Sequence, residues 1–459
     1  MSDLVQHFKS WLGDAAVLEG AEAAAAARSN WSRLGTPHAI LRPASIADVS
    51  RILQICHAQQ HPVVPWGGRT GLVEGANADG AFALSLERLN HIEAIDPAGG
   101  TMTVEAGCIL QTVAEAADAQ GLFFPLDLGA RGSATIGGNI STNAGGNRVI
   151  RYGMTREMVL GLEAVLADGT IVSSLNRLIK NNAGYDLKQL FIGSEGTLGV
   201  ITRAVLRLRP KPGSHAVALA AVDRFESLPR LLRHVERGLG GSLSAFEVMW
   251  DDFYRQVTTP PAKGRAPLDY GHGYYVLVEQ LGSDEAADMA QFERVLGEAI
   301  EEGVIADAVI AKSLAERHAI WSLRDDVAQC ARNGPIFTFD VSLPILEMES
   351  YVTVVRGALQ ASRPDSLSLM VFGHLGDCNL HLIIGVGDGS PEARHAVEAI
   401  VYGSLEGRSG SVSAEHGIGL EKRSYLPLSR SEAEIALMRR LKRALDPHNI
   451  LNPGKIFAF

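Results

Sequence analysis

In the first 210 residues, the pattern of apolar and polar positions predicts helices that alternate with short strands. Ser45 followed by Asp48 has the form of a capping box, so we expect a helix to begin there. The predicted elements are a helix over 1–30 around the alanine run 23–27, a helix over 45–60, a strand over 62–65 and a helix over 109–120 that Gly121 ends. This alternation favours an α+β or α/β domain.

A domain boundary is predicted at Lys211-Pro212-Gly213, because linkers between domains are often rich in proline and glycine. The pattern beyond it predicts a second α+β domain, with helices over 282–302 and 313–333 and strands over 216–222, 336–343, 369–373 and 380–386. Residues 258–272 are expected to be its least ordered piece, and 421–459 to be helical up to Asp446-Pro447. The predicted divisions are a helical segment 1–34, domains 35–212 and 213–420, and a C-terminal segment 421–459 that packs back on the first domain.

Composition and charge exclude several classes of protein. The 459 residues are 46% hydrophobic and 20% charged, which is typical of a folded chain. The net charge of −10 gives no overall basic surface for nucleic acid, and no apolar stretch is long enough to predict a membrane span. The N-terminus has neither signal-peptide nor transit-peptide character, and the four cysteines form no C-x-x-C pair. We therefore expect a cytoplasmic protein with reduced thiols.

Glycine-rich segments carry the first chemical signal. The longest runs from Gly129 to Gly146 with interleaved Ser, Thr and Asn, and Gly67-Gly68 and 193–199 add two more. Glycines let the backbone approach a ligand closely, and successive N–H groups can hold a phosphate or pyrophosphate. The chain has no G-x-G-x-x-G between a strand and a helix and no P-loop, so simple NAD and ATP sites lose their main support.

The segments 65–71, 125–130, 137–146 and 184–199 resemble the FAD-binding domain of the vanillyl-alcohol-oxidase/PCMH flavoproteins, and in particular the FAD-linked D-2-hydroxy-acid dehydrogenases. The resemblance implies a PCMH-type FAD-binding domain of two α+β subdomains over 35–212 and a substrate domain over 213–420. It also implies noncovalent FAD, because the glycine loop lacks the histidine that some relatives bond to flavin. The cofactor-binding residues it implies are Pro65, Trp66, Gly67, Gly68, Arg69, Thr70, Gly71, Leu72, Pro125, Asp127, Gly132, Ser133, Gly137, Gly138, Asn139, Thr142, Asn143, Gly145, Gly146, Tyr152, Gly153, Glu195, Gly196, Gly199, Val200, Ile201 and Asn452.

A histidine-rich segment carries the second signal. His374 and His381 flank Gly376-Asp377, a turn that would bring two strands and both imidazoles together, and Glu415-His416 follows later. From the residues alone, a structural role for these histidines and a divalent metal site both remain open. The resemblance implies that His374, His381 and Glu415 are the ligands of a divalent metal, with zinc favoured.

The same resemblance implies that Asn379 contacts substrate and that His416 accepts the proton of the substrate hydroxyl while hydride passes to flavin N5. Position 378 departs from the family, because Cys stands where glycine is usual. We consider a tolerated turn residue and a thiolate ligand of the metal, and favour the turn residue because three ligands are already supplied.

Substrate selection is predicted to involve Arg324, since a guanidinium suits a carboxylate and the family has a substrate arginine here. A surface ion pair is the alternative for this side chain. The family positions that bind the distal carboxylate of D-2-hydroxyglutarate correspond here to Ala328 and Thr338, which carry no charge, although Lys312 could compensate. D-2-hydroxyglutarate, D-lactate and bulkier D-2-hydroxy acids therefore all remain candidates.

Two other functions compete with a dehydrogenase at this stage. One is a metal-dependent hydrolase without flavin, built on the histidine segment, and the other is a noncatalytic flavin-binding subunit. The electron acceptor is expected to be an electron-transfer flavoprotein or a quinone, and a homodimer is left open.

Overall fold

The computed structural model describes residues 2–458 and contains both helices and sheets, which confirms the predicted α+β class. The helices are α1 (Ser2–Leu12), α2 (Gly20–Ala26), α3 (Ile46–Ala58), α4 (Leu110–Asp118), α5 (Ile136–Thr142), α6 (Val149–Tyr152), α7 (Lys188–Phe191), α8 (Ser227–Gly238), α9 (Asp251–Thr258), α10 (Glu285–Glu301), α11 (Leu314–Asp325), α12 (Met348–Ser362), α13 (Pro391–Gly403) and α14 (Glu432–Leu445). No helix within these residues combines the length and apolar character needed to cross a bilayer.

The strands are β1 (Val17–Glu19), β2 (Ala39–Leu41), β3 (Val63–Trp66), β4 (Phe82–Ser85), β5 (Ile92–Asp96), β6 (Thr101–Glu105), β7 (Leu122–Phe123), β8 (Val159–Val165), β9 (Ile171–Ser174), β10 (Val200–Arg207), β11 (Arg209–Pro210), β12 (Ser214–Val222), β13 (Leu243–Trp250), β14 (Tyr274–Gly282), β15 (Asp307–Ile310), β16 (Phe337–Ser342), β17 (Ser368–Gly373) and β18 (Asn379–Gly385). The chain folds into two compact units. The first unit comprises residues up to 146, 153–211 and those from 415 onward, and the second comprises 147–152 and 212–414.

The first unit contains two main sheets. One has the order β1-β2-β4-β3, with β2, β4 and β3 parallel to each other, and the other is antiparallel in the order β5-β6-β10-β8-β9. The predicted capping box is present at the start of α3, where Ser45 accepts from the Asp48 N–H and the Asp48 side chain accepts from the backbone of Ser45. A short pair of strands, β7 and β11, completes the unit.

The second unit contains one antiparallel sheet of seven strands in the order β15-β12-β14-β13-β17-β18-β16. The four predicted strands of this region correspond to β12, β16, β17 and β18. One face of the sheet is covered by α9 and α11, with Leu277, Phe372 and Ile383 packed against Phe253 and Leu323. This buried face also carries the charged side chains described below.

Three predicted helices are interrupted in the structure. The helix over 1–30 is wrong as one element, because Gly13 and Gly20 adopt positive φ of 85° and 56° and β1 lies between α1 and α2. The helix over 313–333 ends at Asp325 and continues as a 3₁₀ turn, and the helix over 421–446 begins only at Glu432. Each break comes from a turn that pattern alone does not reveal.

The two units depart from the predicted divisions at two short segments. Residues 147–152 belong to the second unit, because Arg148 binds Glu279 there and Arg151 donates to the carbonyl of Ser242. Residues 415–420 belong to the first unit, where the Ile418 N–H donates to the Glu195 carboxylate. Residues 259–272 contain neither helix nor strand, and their low order stays a prediction.

Candidate active site and cofactor cavity

The glycine-rich segments of the first unit surround one cavity of about 350 Å³. Its walls come from the turn after β3, the start of α5, the beginning of β10 and the segment 415–416. The predicted cofactor-binding residues that line it are Pro65, Trp66, Gly67, Gly68, Arg69, Thr70, Gly71, Leu72, Gly137, Gly138, Asn139, Thr142, Gly145, Glu195, Gly196, Gly199, Val200, Ile201 and Asn452. The three glycine clusters therefore face a common space.

Other predicted residues lie away from this wall, and several lining residues were not predicted. Those outside the lining set are Pro125, Asp127, Gly132, Ser133, Asn143, Gly146, Tyr152 and Gly153. Those that the sequence reasoning missed as cofactor residues include Trp31, Leu128, Thr135, Ser141 and His416. Thr135 lies inside the glycine-rich run 129–146, so including every polar residue of that run would have identified it.

The cavity fits a large ligand that approaches the backbone and offers many polar atoms. A Cβ at Gly68 would lie 2.1 Å from the Ser133 carbonyl oxygen, so only glycine permits this chain path. Thr135 Oγ1, Asn139 Nδ2 and Asn452 Oδ1 are buried and have no hydrogen-bond partner among the described residues. Buried polar atoms of this kind are normally satisfied, which suits a dinucleotide such as FAD.

Glu195 holds the wall that carries His416. Its half-buried side chain accepts hydrogen bonds from the N–H groups of Ile418 at 2.7 Å and Gly419 at 2.8 Å. Burial raises the pKa of Glu195, although these two N–H donors oppose that effect. Asn452 Nδ2 donates to the Glu195 carbonyl oxygen at 2.6 Å. His416, the predicted proton acceptor, thus lines the same cavity as the predicted flavin-binding residues.

The histidine segment of the second unit forms the predicted pair of strands joined by a turn. Phe372 of β17 lies opposite His381 of β18, and His374 follows the end of β17. The His374 and His381 rings have centroids 5.3 Å apart and are nearly perpendicular. Two imidazoles at this separation are a donor pair suited to a divalent transition metal.

Arg324 is buried, so the predicted alternative of a surface ion pair is wrong for this side chain. Its Nε donates to Glu247 Oε2 at 2.8 Å, and its Nη2 lies 3.1 Å from His374 Nε2. Glu247 Oε1 lies 2.7 Å from His374 Nδ1. Burial alone would raise the pKa of Glu247, but its interactions with His374 and Arg324 outweigh burial and lower it. The carboxylate is therefore ionised at neutral pH.

Cys378 ends the turn between the two histidines, and Asn379 begins β18. Asn379 is 3% exposed, and both its Oδ1 and Nδ2 lack a partner among residues 2–458, so its amide is available to a ligand. Cys378 adopts a left-handed conformation with φ of 71°, as the glycine usual in the family would. Burial raises the pKa of its thiol, and no cluster of potential metal ligands in the described chain includes it. These observations favour the turn residue over the thiolate ligand.

Asp340 lies on β16 directly opposite His381 and is fully buried. Its Oδ2 accepts the Ala414 N–H at 2.9 Å. Glu415 is the next residue of the chain, so this hydrogen bond fixes the backbone immediately before the third predicted metal ligand.

The positions predicted to select the substrate tail are all exposed to solvent. Thr338 on β16 and Ala328 in the turn after α11 are both exposed. Lys312 is 63% exposed and pairs with Glu293 on the surface, which offers no support for its predicted compensating role.

The sequence reasoning missed two buried carboxylates of the second unit, Glu247 and Glu279. Both are at most 1% exposed and lie on the same face of adjacent strands, since Glu279 pairs with Ala245 two positions before Glu247. Each lies in a largely apolar strand, and the sequence could have shown this, because buried acids are rare unless they are paired.

The chain is similar to known FAD-linked proteins. Residues 211–456 match the family model of the C-terminal domain of FAD-linked oxidases, and 37–174 match that of an FAD-binding domain. The chain is 42% identical to D-2-hydroxyglutarate dehydrogenase of Xanthomonas citri, covering 93% of this chain and 91% of that one. It is 39% identical to the mitochondrial D-2-hydroxyglutarate dehydrogenase of Arabidopsis thaliana, covering 98% and 81%. It is 36% identical to a putative mitochondrial D-lactate dehydrogenase of Schizosaccharomyces pombe, covering 98% and 89%.

Solved structures confirm the fold. p-Cresol methylhydroxylase aligns with a TM-score of 0.78 at 16% identity, and 4-ethylphenol oxidase of Gulosibacter chungangensis with 0.77 at 18%. Each alignment covers 100% of this chain and 97% of the other. The predicted PCMH-type architecture is therefore correct.

Proposed function

The chain belongs to the FAD-linked D-2-hydroxy-acid dehydrogenases of the vanillyl-alcohol-oxidase/PCMH superfamily, and we propose that it oxidises D-2-hydroxyglutarate, D-lactate or a related acid to the 2-oxo acid. The observation that carries the proposal is the position of His416, which lines the cavity formed by the glycine segments. A base placed there stands beside the flavin-binding residues, where an acid substrate must lose its hydroxyl proton.

The proposed roles follow from the chemistry of each side chain. Arg324 binds the substrate carboxylate, Asn379 hydrogen-bonds the substrate, and His416 takes the hydroxyl proton. His374, His381 and Glu415 hold a divalent metal, with zinc favoured for this donor set. Bound FAD would supply the two-electron acceptor for the substrate hydride, at flavin N5. A metal held there would act as a Lewis acid and lower the pKa of the substrate hydroxyl.

The hydrolase and the noncatalytic subunit are not favoured by any observation of the site. The two FAD-linked family matches together span most of the chain, and the curated relatives named above are dehydrogenases. We further propose a cytoplasmic protein, supported by four unpaired cysteines, with an electron-transfer flavoprotein or a quinone as electron acceptor and a homodimer as the candidate assembly.

The test is an anaerobic titration of the purified protein with D- and L-2-hydroxy acids, followed by the visible flavin band. We expect a yellow protein whose band bleaches with a D-acid and not with its L-enantiomer, and bleaching that stops after metal chelation. D-2-hydroxyglutarate, D-lactate and a bulkier D-acid are compared in one panel, because the uncharged Ala328 and Thr338 leave the tail open.

His416→Gln is expected to keep the flavin band and to slow its reduction by about 10²-fold or more, since a positioned base contributes about that much. His91→Gln is the control, because His91 is an exposed histidine paired with Glu105 outside the cavity. A yellow protein that no D-acid bleaches would overturn the proposed reaction, and equal rates for both variants would remove His416 from it.

A further inference from the structure

Each oxygen of the Glu247 carboxylate contacts a different side chain of the proposed site. Glu247 lies on β13 and is 1% exposed. Oε1 lies 2.7 Å from His374 Nδ1, and Oε2 accepts the Arg324 Nε–H at 2.8 Å. A metal ligand and a substrate-binding arginine therefore depend on one buried anion.

The contacts also fix the tautomer of His374. A guanidinium has only donors, so the Arg324 Nη2 that lies 3.1 Å from His374 Nε2 requires an acceptor lone pair on that nitrogen. The ring proton then sits on Nδ1 and is donated to Glu247. A metal would take this Nε2 lone pair in place of the Arg324 donor, because a ligating histidine needs an unprotonated nitrogen.

The guanidinium is oriented by the same carboxylate. Its Nε–H donates to Glu247, and its Cζ lies over the Phe372 ring, 4.8 Å from the ring centroid. The hydrogen bond from Nε and the contact with the Phe372 ring together fix the directions of the two terminal nitrogens. Side chains as long as arginine otherwise lose considerable rotamer entropy when they order.

We propose that Glu247 is a positioning residue shared by both halves of the site, which sets the His374 tautomer for metal binding and the Arg324 orientation for the substrate carboxylate. The inference rests on the proposed function. It couples two properties, metal affinity and substrate affinity, to one side chain that touches neither ligand.

Glu247→Gln is the informative change because it keeps the volume and removes one acceptor. A glutamine amide has one oxygen, so its NH₂ must face either the His374 Nδ1–H or the Arg324 Nε–H. One of the two partners then meets a donor instead of an acceptor. Either His374 loses its tautomer or Arg324 loses its orientation.

Glu279→Gln is the matched control. Glu279 is a fully buried glutamate on the same sheet face, one strand away on β14. It also binds an arginine and a histidine, namely Arg148 at 2.9 Å and His215 at 2.8 Å, and it has no contact with His374 or Arg324 among its described partners. The two variants therefore make the same chemical change in equivalent settings.

The experiment measures zinc affinity by competition with a chromogenic chelator on the FAD-loaded full chain, together with KM and kcat for the D-acid that bleaches the flavin. We expect Glu247→Gln to weaken zinc binding by about 10- to 100-fold, the range for lost partners of ligating histidines. KM is expected to rise along with it. Glu279→Gln is expected to bind zinc within about twofold of the wild type, since it leaves the ligands unchanged.

The outcomes separate this inference from the proposed function. If the wild type binds zinc and Glu247→Gln has the same zinc affinity and KM, this inference is wrong and the proposed function still stands. A wild type that binds no divalent metal overturns the metal part of the proposed function, and the inference with it. Equal losses in Glu247→Gln and Glu279→Gln would mean a general effect of a buried charge and would also overturn it.

Glu247→Asp covers the case in which the glutamine variant does not fold. It keeps the negative charge beside Arg324 but is one methylene shorter, so it cannot reach both partners at their present distances. We expect a folded, yellow protein with weaker zinc binding or a raised KM. Wild-type values for both in this variant would contradict the shared positioning role.

Discussion

Cys378 occupies a backbone conformation that its side chain disfavours. Its φ of 71° lies in the left-handed region, where a residue with a Cβ pays roughly 1–2 kcal/mol. The family resemblance identified the position from sequence, because glycine is usual there. Only the structure could decide the role of the thiol, since that depends on which ligands surround it.

Cys378→Gly is therefore expected to stabilise the protein by about 0.5–1 kcal/mol, the released strain being partly offset by the greater freedom of glycine in the unfolded chain. Cys378→Ala is the control, because it removes the sulfur but keeps the Cβ, and it should bring no such gain. Chemical denaturation measures both. Unchanged zinc affinity in both variants is also expected, and a loss in both would restore the thiolate as a ligand.

At the scale of elements, α14 is tied to the cavity through a buried ion pair. Lys442 Nζ binds Asp446 and donates to the carbonyl oxygens of Thr197 at 2.9 Å and Leu451 at 2.8 Å. Asp446 in turn accepts the Leu451 N–H at 2.8 Å. Leu451 pairs with Val63 of β3, and the next residue, Asn452, lines the cavity. Sequence periodicity predicted a helix here but not that its last turn holds a cavity wall.

Asp446→Asn is expected to cost about 3–5 kcal/mol in free energy of unfolding, because it leaves the Lys442 ammonium buried without its anion. Glu298→Gln in α10 is the matched control: it removes the carboxylate of an i,i+4 pair with Arg294 whose side chains are 56% and 43% exposed. That change should cost no more than about 0.5 kcal/mol. Equal costs in urea denaturation would contradict the anchoring role of the buried pair.

At the scale of the whole molecule, the first unit is assembled from three stretches of chain, and residues 147–152 belong to the other unit. The cavity proposed to bind FAD uses all three stretches, since its lining includes residues before 146, residues at 195–201 and residues from 415 onward. A ligand that binds across them is expected to stabilise the folded unit by linkage.

Added FAD at about 100 times its Kd is accordingly expected to contribute about 2.7 kcal/mol and to raise the Tm of the flavin-depleted protein by several degrees. NAD shares the adenine and pyrophosphate with FAD and serves as the control, with no shift expected. Differential scanning fluorimetry read through tryptophan measures both. A similar shift with NAD would argue against a site selective for FAD.

The sequence by itself determined those features that depend on neighbours along the chain. The capping box of α3, the strands on both sides of the histidine turn and the glycine segments were all found this way, because turns, caps and close backbone approach need particular residues at short spacing. The long family motifs also determined the fold and the use of FAD. The breaks at Gly13 and Gly20 were missed, since glycine only permits a positive φ and does not require it.

The tertiary structure alone decided which distant residues share a site. Glu247 meets His374 across 127 positions and Arg324 across 77, and it does so because strand order places β13 beside β17 and packs α11 on the same face. No local pattern specifies that order. A buried glutamate in an apolar strand shows only that a partner must exist, because an ionised group leaves water only when it is paired, and the fold determines which partner it finds.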